Sequence, residues 1–183
     1  MEKLRPGDIL THTFGHVKGR IPIVNEDGNL EPYVKQAQER GVIFDVGHGG
    51  GSFLFEQAIP AMEQGFHPNT ISTDLHTGSM NGGMKDMSNV MSKFLNIGMN
   101  LQQVIDASTW KSAKVIKRED LGHLSEGAVA DIAILTVREG QFGFVDVRKN
   151  RMDGNRKLEC ELTVRDGKVV FDLNGISSSD WNK

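Results

Sequence analysis

At 183 residues, with 38% hydrophobic and 25% charged side chains, the chain has a globular composition and enough length for one good core or two small ones. Its 21 Lys and Arg against 24 Asp and Glu give a formal charge of -3, which argues against the concentrated basic surface of a nucleic-acid binder. No uninterrupted apolar run reaches about 18 residues, and the opening MEKLRPGD lacks the apolar stretch and cleavage site of a secretory signal, so no membrane partner is expected and the expected location is cytoplasmic.

Three short apolar runs, each closing on a polar residue, occupy the first 80 residues: Asp8–Phe14, Val42–Gly47 and Thr70–Asp74. The second is β-branched and aromatic, as suits a buried parallel strand. Between the first two, the helix-permissive Glu31–Arg40 has Pro32 near its start and Gly41 just past its end. Between the last two, Ser52 is placed to cap a helix running to Gln64, with Phe55, Ile59 and Met62 at helical spacing and Pro60 expected to kink or split it. Strand, helix, strand, helix, strand predicts parallel βα units.

From Ser88 the pattern turns helical. Val90, Met91, Phe94 and Leu95 form one face, Leu101–Ala107 and Trp110–Ile116 a second helical region, and Met80, Met84, Met87 and Met91 read as an apolar helix stripe with the loop leading into it. Beyond Gly127 the alternation has a period of two, over Asp131–Val137, Phe144–Arg148, Leu158–Arg165 and Lys168–Leu173, with Asp166-Gly167 as a hairpin turn. The single Cys160 falls inside this layer, in KLECELTV, as a strand thiol without a disulfide or zinc role.

Each of the three parallel strands carries an ionisable residue at or near its C-terminal end: His12, His48 and Asp74, with His76 just beyond. That edge is where the loops of parallel βα architectures converge on ligands. Imidazole and carboxylate together suit a divalent metal such as zinc, and the set points to metal-assisted hydrolysis. For each residue taken alone, a hydrogen-bonded structural histidine or a turn-forming aspartate is the plainer account. His16, His67 and His123 lie in loops and carry no assigned role.

VIFDVGHGGGSF supports a competing reading. A strand entering a glycine-rich turn suggests nucleotide binding, as in the first motif of an S-adenosylmethionine-dependent methyltransferase, with Asp74 on the ribose. That reading leaves the residues before Val42 unexplained, lacks a strict G-x-G-x-x-G because Ser52 holds the sixth position, and does not fit the antiparallel tail. The HGGG of an α/β-hydrolase oxyanion loop is present, but no G-x-S-x-G follows.

RPGDILTHTFG, GVIFDVGHGGGSF, TISTDLHT, the stretch from SKFLNIGMNLQQVI through DASTWKSAKVI, and LGHLSEGAVADIAIL resemble, in that order, the C-terminal half of an amidohydrolase-superfamily metallohydrolase, in the deacetylase-like branch related to dihydroorotases. The resemblance implies an α/β fold: a partial (β/α)8 TIM barrel, strands six to eight with their helices, over residues 1–124, then antiparallel strands of a small β-sandwich over 125–176 and a flexible tail over 177–183. It implies that His12 is a ligand of the second metal, that Asp74 binds the first metal and shuttles a proton, and that His48, Gly49, Gly50 and His76 contact substrate. The implied activity is hydrolysis of an amide or ester of a small molecule, with zinc as the metal, binuclear in the complete enzyme.

The family's paired histidines on the first strand, its carboxylated lysine on the fourth and its histidine on the fifth have no counterpart here, and a barrel usually takes about 250 residues. The chain therefore reads as a C-terminal piece, inactive alone, whose partner is the missing N-terminal half or a second copy. A non-catalytic remnant or interaction subunit is the alternative.

Overall fold

A parallel strand stays in the ladder only while its residues stay extended, and here the first run leaves that region at His12, inside its span, and the other two at their last residues, Gly47 and Asp74. The computed structural model, which describes residues 1–16 and 19–182, places β1 (Ile9–Leu10) parallel to β2 (Ile43–Phe44), with Ile9 opposite Ile43 and Leu10 opposite Phe44. A parallel bridge between Asp45 and Thr70 adds the third run. Order and direction are as expected, but the strands are far shorter than the apolar runs. His12 at φ +58° and Asp74 at φ +48° adopt left-handed backbone, which ends any strand. Among the described residues β1 pairs only with β2, and Arg20 donates to the carbonyl oxygen of Thr11 at 3.0 Å.

The connecting helices follow the sequence signals with two exceptions. In α1 (Pro32–Glu39) proline sits in the first turn, Val34 and Ala37 are buried, and Gly41 follows at φ +98°. In α2 (Phe55–Glu63) the start lies beyond Ser52, at Leu54, with no side-chain cap, and the helix runs through Pro60 unsplit. Gln64 Nε2 donates to the Pro60 carbonyl at 2.8 Å, so its side chain serves a C-terminal carbonyl of this turn. Then come α3 (Met87–Asn96), capped by Asp86 accepting from Asn89 N, α4 (Leu101–Ser108), closed by an Asn100/Gln103 capping box, and α5 (Trp110–Val115).

The core is aromatic. Phe14 meets Phe53, Phe66 and Phe94 with ring centroids 5.7 to 6.2 Å apart, and Phe44 packs edge-on against Phe66 at 5.1 Å. Of the methionines expected as the apolar stripe of a helix and its entry loop, Met84 and Met91 join this core and Met80 is exposed, with the helix beginning at Met87 and Met80 and Met84 in the loop before it.

The antiparallel layer has the order β3 (Ile132–Val145), β4 (Arg151–Arg165), β5 (Lys168–Asp172). β3 takes in most of the run expected over 131–137 and only Phe144 and Val145 of the run expected over 144–148, whose other residues lie in the turn before β4; its register shifts between Glu139 and Phe142. Asp166 at φ +48° and Gly167 at φ +72° make the expected two-residue turn. Phe144 and Leu158 bring this sheet into the common core, and Ser92 Oγ on α3 accepts the Leu158 amide at 2.8 Å. The fold is thus mixed α/β, with two small sheets among the described residues, neither of them closed. No described helix is long and apolar enough to cross a membrane. Residues 177–182 are exposed, and residue 183 of the expected tail lies outside the described residues.

Candidate active site

The turn after β2 threads between the ends of the other two parallel runs, and its glycines let it pass. The carbonyl oxygen of Gly47 lies 2.6 Å from His12 Nδ1. A Cβ on Gly47 would stand 2.8 Å from that nitrogen and overlap Thr11 Oγ1 outright. Gly49, at φ +50°, has no room for a Cβ because Asp74 Oδ2 would be 2.5 Å away. Gly50 faces His76, whose Nε2 would lie 3.6 Å from a Cβ there. Backbone bonds fix the crossing: His48 N donates to Ser72 O at 3.3 Å and Gly49 N to Thr73 O at 2.9 Å. The strand ends expected to converge do so, with Gly47 against His12, Gly49 against Asp74 and Gly50 against His76.

His12 is half-buried. Its Nδ1 faces a carbonyl oxygen, which only accepts, so Nδ1 carries the donated proton, and in the neutral ring the lone pair is the one on Nε2. Among the described residues, hydrogen bonding to Asp74 goes to its backbone carbonyl, from Ser79 Oγ at 3.3 Å, and its exposed carboxylate is left open. His76 is exposed, with Nδ1 accepting from Gly78 N at 3.1 Å.

His48 sits differently from its neighbours. Expected to touch substrate, it is 0% exposed, stacked on Phe53 with centroids 4.5 Å apart, with Nδ1 2.9 Å from Gly49 O and Nε2 2.7 Å from Lys93 Nζ. No ring atom faces solvent. Burial, and then the Lys93 charge, push its pKa down to about 3, opposed by the Gly49 carbonyl and Asp146, so the ring is neutral.

Lys93, on α3, is also 0% exposed. It donates to Gly83 O at 2.7 Å and Val145 O at 2.8 Å, and its Nζ lies 5.2 Å from the Phe53 ring centroid. Burial pushes its pKa down to about 7, with Asp146 opposing and Lys85 adding to the fall. Asp146 is itself buried and accepts from Arg148 N, Asn150 N and Asn150 Nδ2 at 2.9 to 3.1 Å.

Beneath the strand ends, the half-buried Asp45 carboxylate accepts from Thr11 Oγ1, Thr70 Oγ1 and Ser72 Oγ, each at 2.7 Å. One anion therefore ties all three parallel runs together just below His12 and Asp74.

Of the residues that the sequence singles out, the structure brings His12, Asp74, Gly49, Gly50 and His76 to the turn after β2, and beside them it places Asp45 and Lys93, which the sequence reading did not single out. Both left a signal. Asp45 is a carboxylate inside the β-branched run VIFDVG, and Lys93 is a charge at helical spacing from Val90 and Phe94 on an otherwise apolar face.

The donors present fit a divalent cation in part. An imidazole with Nδ1–H on a backbone carbonyl and a bare Nε2 is in the form that ligates metals, and an open carboxylate is its usual companion. Among the described residues no group of three or more His, Cys, Asp and Glu could hold an ion. His12 and Asp74 by themselves would make only part of a ligand set.

Comparison with known proteins shows which family the chain belongs to. The amidohydrolase family matches residues 58–171. A deacetylase of Brucella anthropi is 39% identical over 170 residues, covering 93% of this chain and 42% of the relative, and a deacetylase of Agrobacterium fabrum is 36% identical over 155 residues, covering 85% and 36%. The chain thus spans about two-fifths of the length of these curated relatives. Among solved structures, an adenine deaminase superposes with a TM-score of 0.86 at 26% identity, over 94% of this chain and 46% of that one. A dihydroorotase superposes at 0.81 with 32% identity, over 93% and 45%. With the family's match running over most of the chain, from α2 to β5, and the ends of the parallel strands gathered as described, the chain belongs to the amidohydrolase family.

Proposed function

We propose that this chain supplies one side of the active site of a metal-dependent hydrolase that cleaves an amide or ester of a small molecule, an N-acyl or O-acyl group being the bond broken. The observation that carries the reading is that His12 lies against Gly47 and Asp74 against Gly49 of the same short turn, with His12 Nε2 and the Asp74 carboxylate given no partner there among the described residues. In this reading residues 1–124 are strands six to eight of a (β/α)8 barrel with their helices, and residues 125–176 belong to a small β-sandwich. The remaining strands and ligands come from an N-terminal half or from a second copy of the chain.

His12 Nε2 and the Asp74 carboxylate would hold a divalent metal, zinc by preference, which supplies the Lewis acidity that makes water acidic enough to ionise near neutral pH. Asp74 takes the proton of the attacking water on one carboxylate oxygen as the water oxygen bonds to the acyl carbon. It then returns that proton to the leaving nitrogen or oxygen as the acyl bond breaks. Gly49, Gly50 and the exposed His76 line the approach and orient the acyl oxygen or a substrate carboxylate, while His48 supports them from below.

The test supplies the missing N-terminal half in trans and assays acyl-ester and acyl-amide hydrolysis with zinc. Asp74→Asn is expected to cut kcat by about a hundredfold or more, in line with general acid–base contributions. Unchanged activity in that variant would sink the assigned role, and a complex that assembles yet turns over nothing would favour the non-catalytic reading.

A further inference from the structure

We propose that Lys93 is a positioning residue for the active site: by holding His48 in the neutral Nδ1–H form it locks Gly49 against the carboxylate of Asp74. This rests on the reading of Asp74 as a site residue. The chain of contacts runs from the antiparallel layer to the catalytic edge. Three acceptors surround Lys93 Nζ: Gly83 O at 2.7 Å, Val145 O at 2.8 Å and His48 Nε2 at 2.7 Å. An ammonium has three N–H bonds and no lone pair, so it fills this set only if His48 Nε2 carries no proton. The other ring nitrogen imposes the same form, because Nδ1 lies 2.9 Å from Gly49 O, a pure acceptor, and must donate to it.

Gly49 is then gripped on three sides. Its carbonyl accepts from His48, its amide donates to Thr73 O at 2.9 Å, and its Cα faces Asp74 Oδ2 with no space for a methyl group. The stack on Phe53 keeps the imidazole from tilting away. Lys93 reaches none of the open donors at the site; it acts through His48 and Gly49. A methionine in its place would fill similar volume and satisfy none of the three acceptors.

The groups that face the ammonium are His48 from the turn after β2, Asp146 from the segment after β3, and Lys85 from the loop before α3. The decisive measurement uses the chain itself, labelled with nitrogen-15 at histidine, at pH 6. The resonance lost in His48→Asn identifies His48. In the wild type it is expected to show a protonated Nδ1 and a bare Nε2, and not to take up a second proton between pH 5.5 and 6.5, where Lys93 keeps its charge. An Nε2–H form, or an ordinary titration in that range, overturns the proposal whether or not any Lys93 variant folds.

In Lys93→Met, the His48 signal is expected to become a tautomer mixture, and exchange of the Gly49 amide to quicken by about tenfold relative to the amides of α3, as local opening becomes easier. A folded Lys93→Met with an unchanged His48 signal and unchanged Gly49 exchange overturns it too. These readouts need neither metal nor turnover. A complemented enzyme that fails to hydrolyse acyl substrates would remove the functional reading while leaving the Lys93 result to be judged on the tautomer.

Discussion

Ser72 Oγ donates to the carboxylate of Asp45 at 2.7 Å and accepts the Gly47 amide at 3.0 Å, so one hydroxyl couples the anion under the strand ends to the turn that carries the site. Thr11 and Thr70 complete the anion's hydroxyl partners. Asp45→Asn replaces an acceptor of three hydroxyl protons with a group that must itself donate. It is expected to lower stability by about 2 kcal/mol, the scale of hydrogen bonds to a charged group. Ser72→Ala is expected to cost about half as much. Urea midpoints measure both, and an Asp45→Asn midpoint equal to wild type would mean that this anion does not hold the strands together.

Two glycines two residues apart in the same turn should respond very differently. Gly49 combines φ +50° with a missing Cβ that would stand 2.5 Å from Asp74 Oδ2. Gly49→Ala is expected to destabilise by about 2 kcal/mol or more, from a strained φ and a displaced carboxylate together. Gly51 has nothing within 4 Å of its would-be Cβ and no positive φ. Gly51→Ala should stay within about 0.5 kcal/mol of wild type, as surface changes do. Comparable losses in the two thermal melts would contradict the close packing at Gly49.

Stability should rise with pH in two windows. The folded pKa of His48 is about 3 against an ordinary 6.5, and that of Lys93 about 7 against 10.5. In both cases the native state binds fewer protons than the unfolded chain between the two values, so stability increases as pH climbs through each interval. Acidification from 6.5 towards 3 therefore unfolds the protein partly through His48, and the gain above pH 7 comes from Lys93. Denaturant midpoints against pH in wild type and Lys93→Met check this: the slope above pH 7 should flatten in the variant. An unchanged slope would assign it to other groups.

His12→Asn addresses the metal. In the complemented enzyme it is expected to weaken zinc binding by more than the roughly 10 to 100-fold seen when an outer partner of a ligand is removed. Calorimetry with zinc against both proteins reads the difference directly. An affinity equal to wild type would take His12 out of the ligand set.

The strand-end chemistry was legible because parallel βα order is written in local pattern, and His12, His48 and Asp74 each follow an apolar run. Strand length was not, since the left-handed backbone at His12 and Asp74 is set by the close approach of the Gly47–Gly50 turn, a contact between segments distant in sequence. The same limit applies to His48. Its neighbours in the chain are glycines, which suggest an open loop, but its ring is buried by Phe53 and by Lys93 from a helix 45 residues away. The extension of β3 from one expected strand into the start of the next reflects tertiary pairing with β4, which carries the ladder across the irregularity at Glu139–Phe142.

The bond from Arg20 to the Thr11 carbonyl has a practical side for anyone preparing this chain by itself. β1 is only two residues long, and the acceptor that follows it is already occupied, so the sheet margin offers a stray peptide little to grip. Loss of material in concentrated samples should accordingly trace to sticky side chains such as the exposed Ile21 and Leu75 and yield amorphous precipitate instead of fibrils.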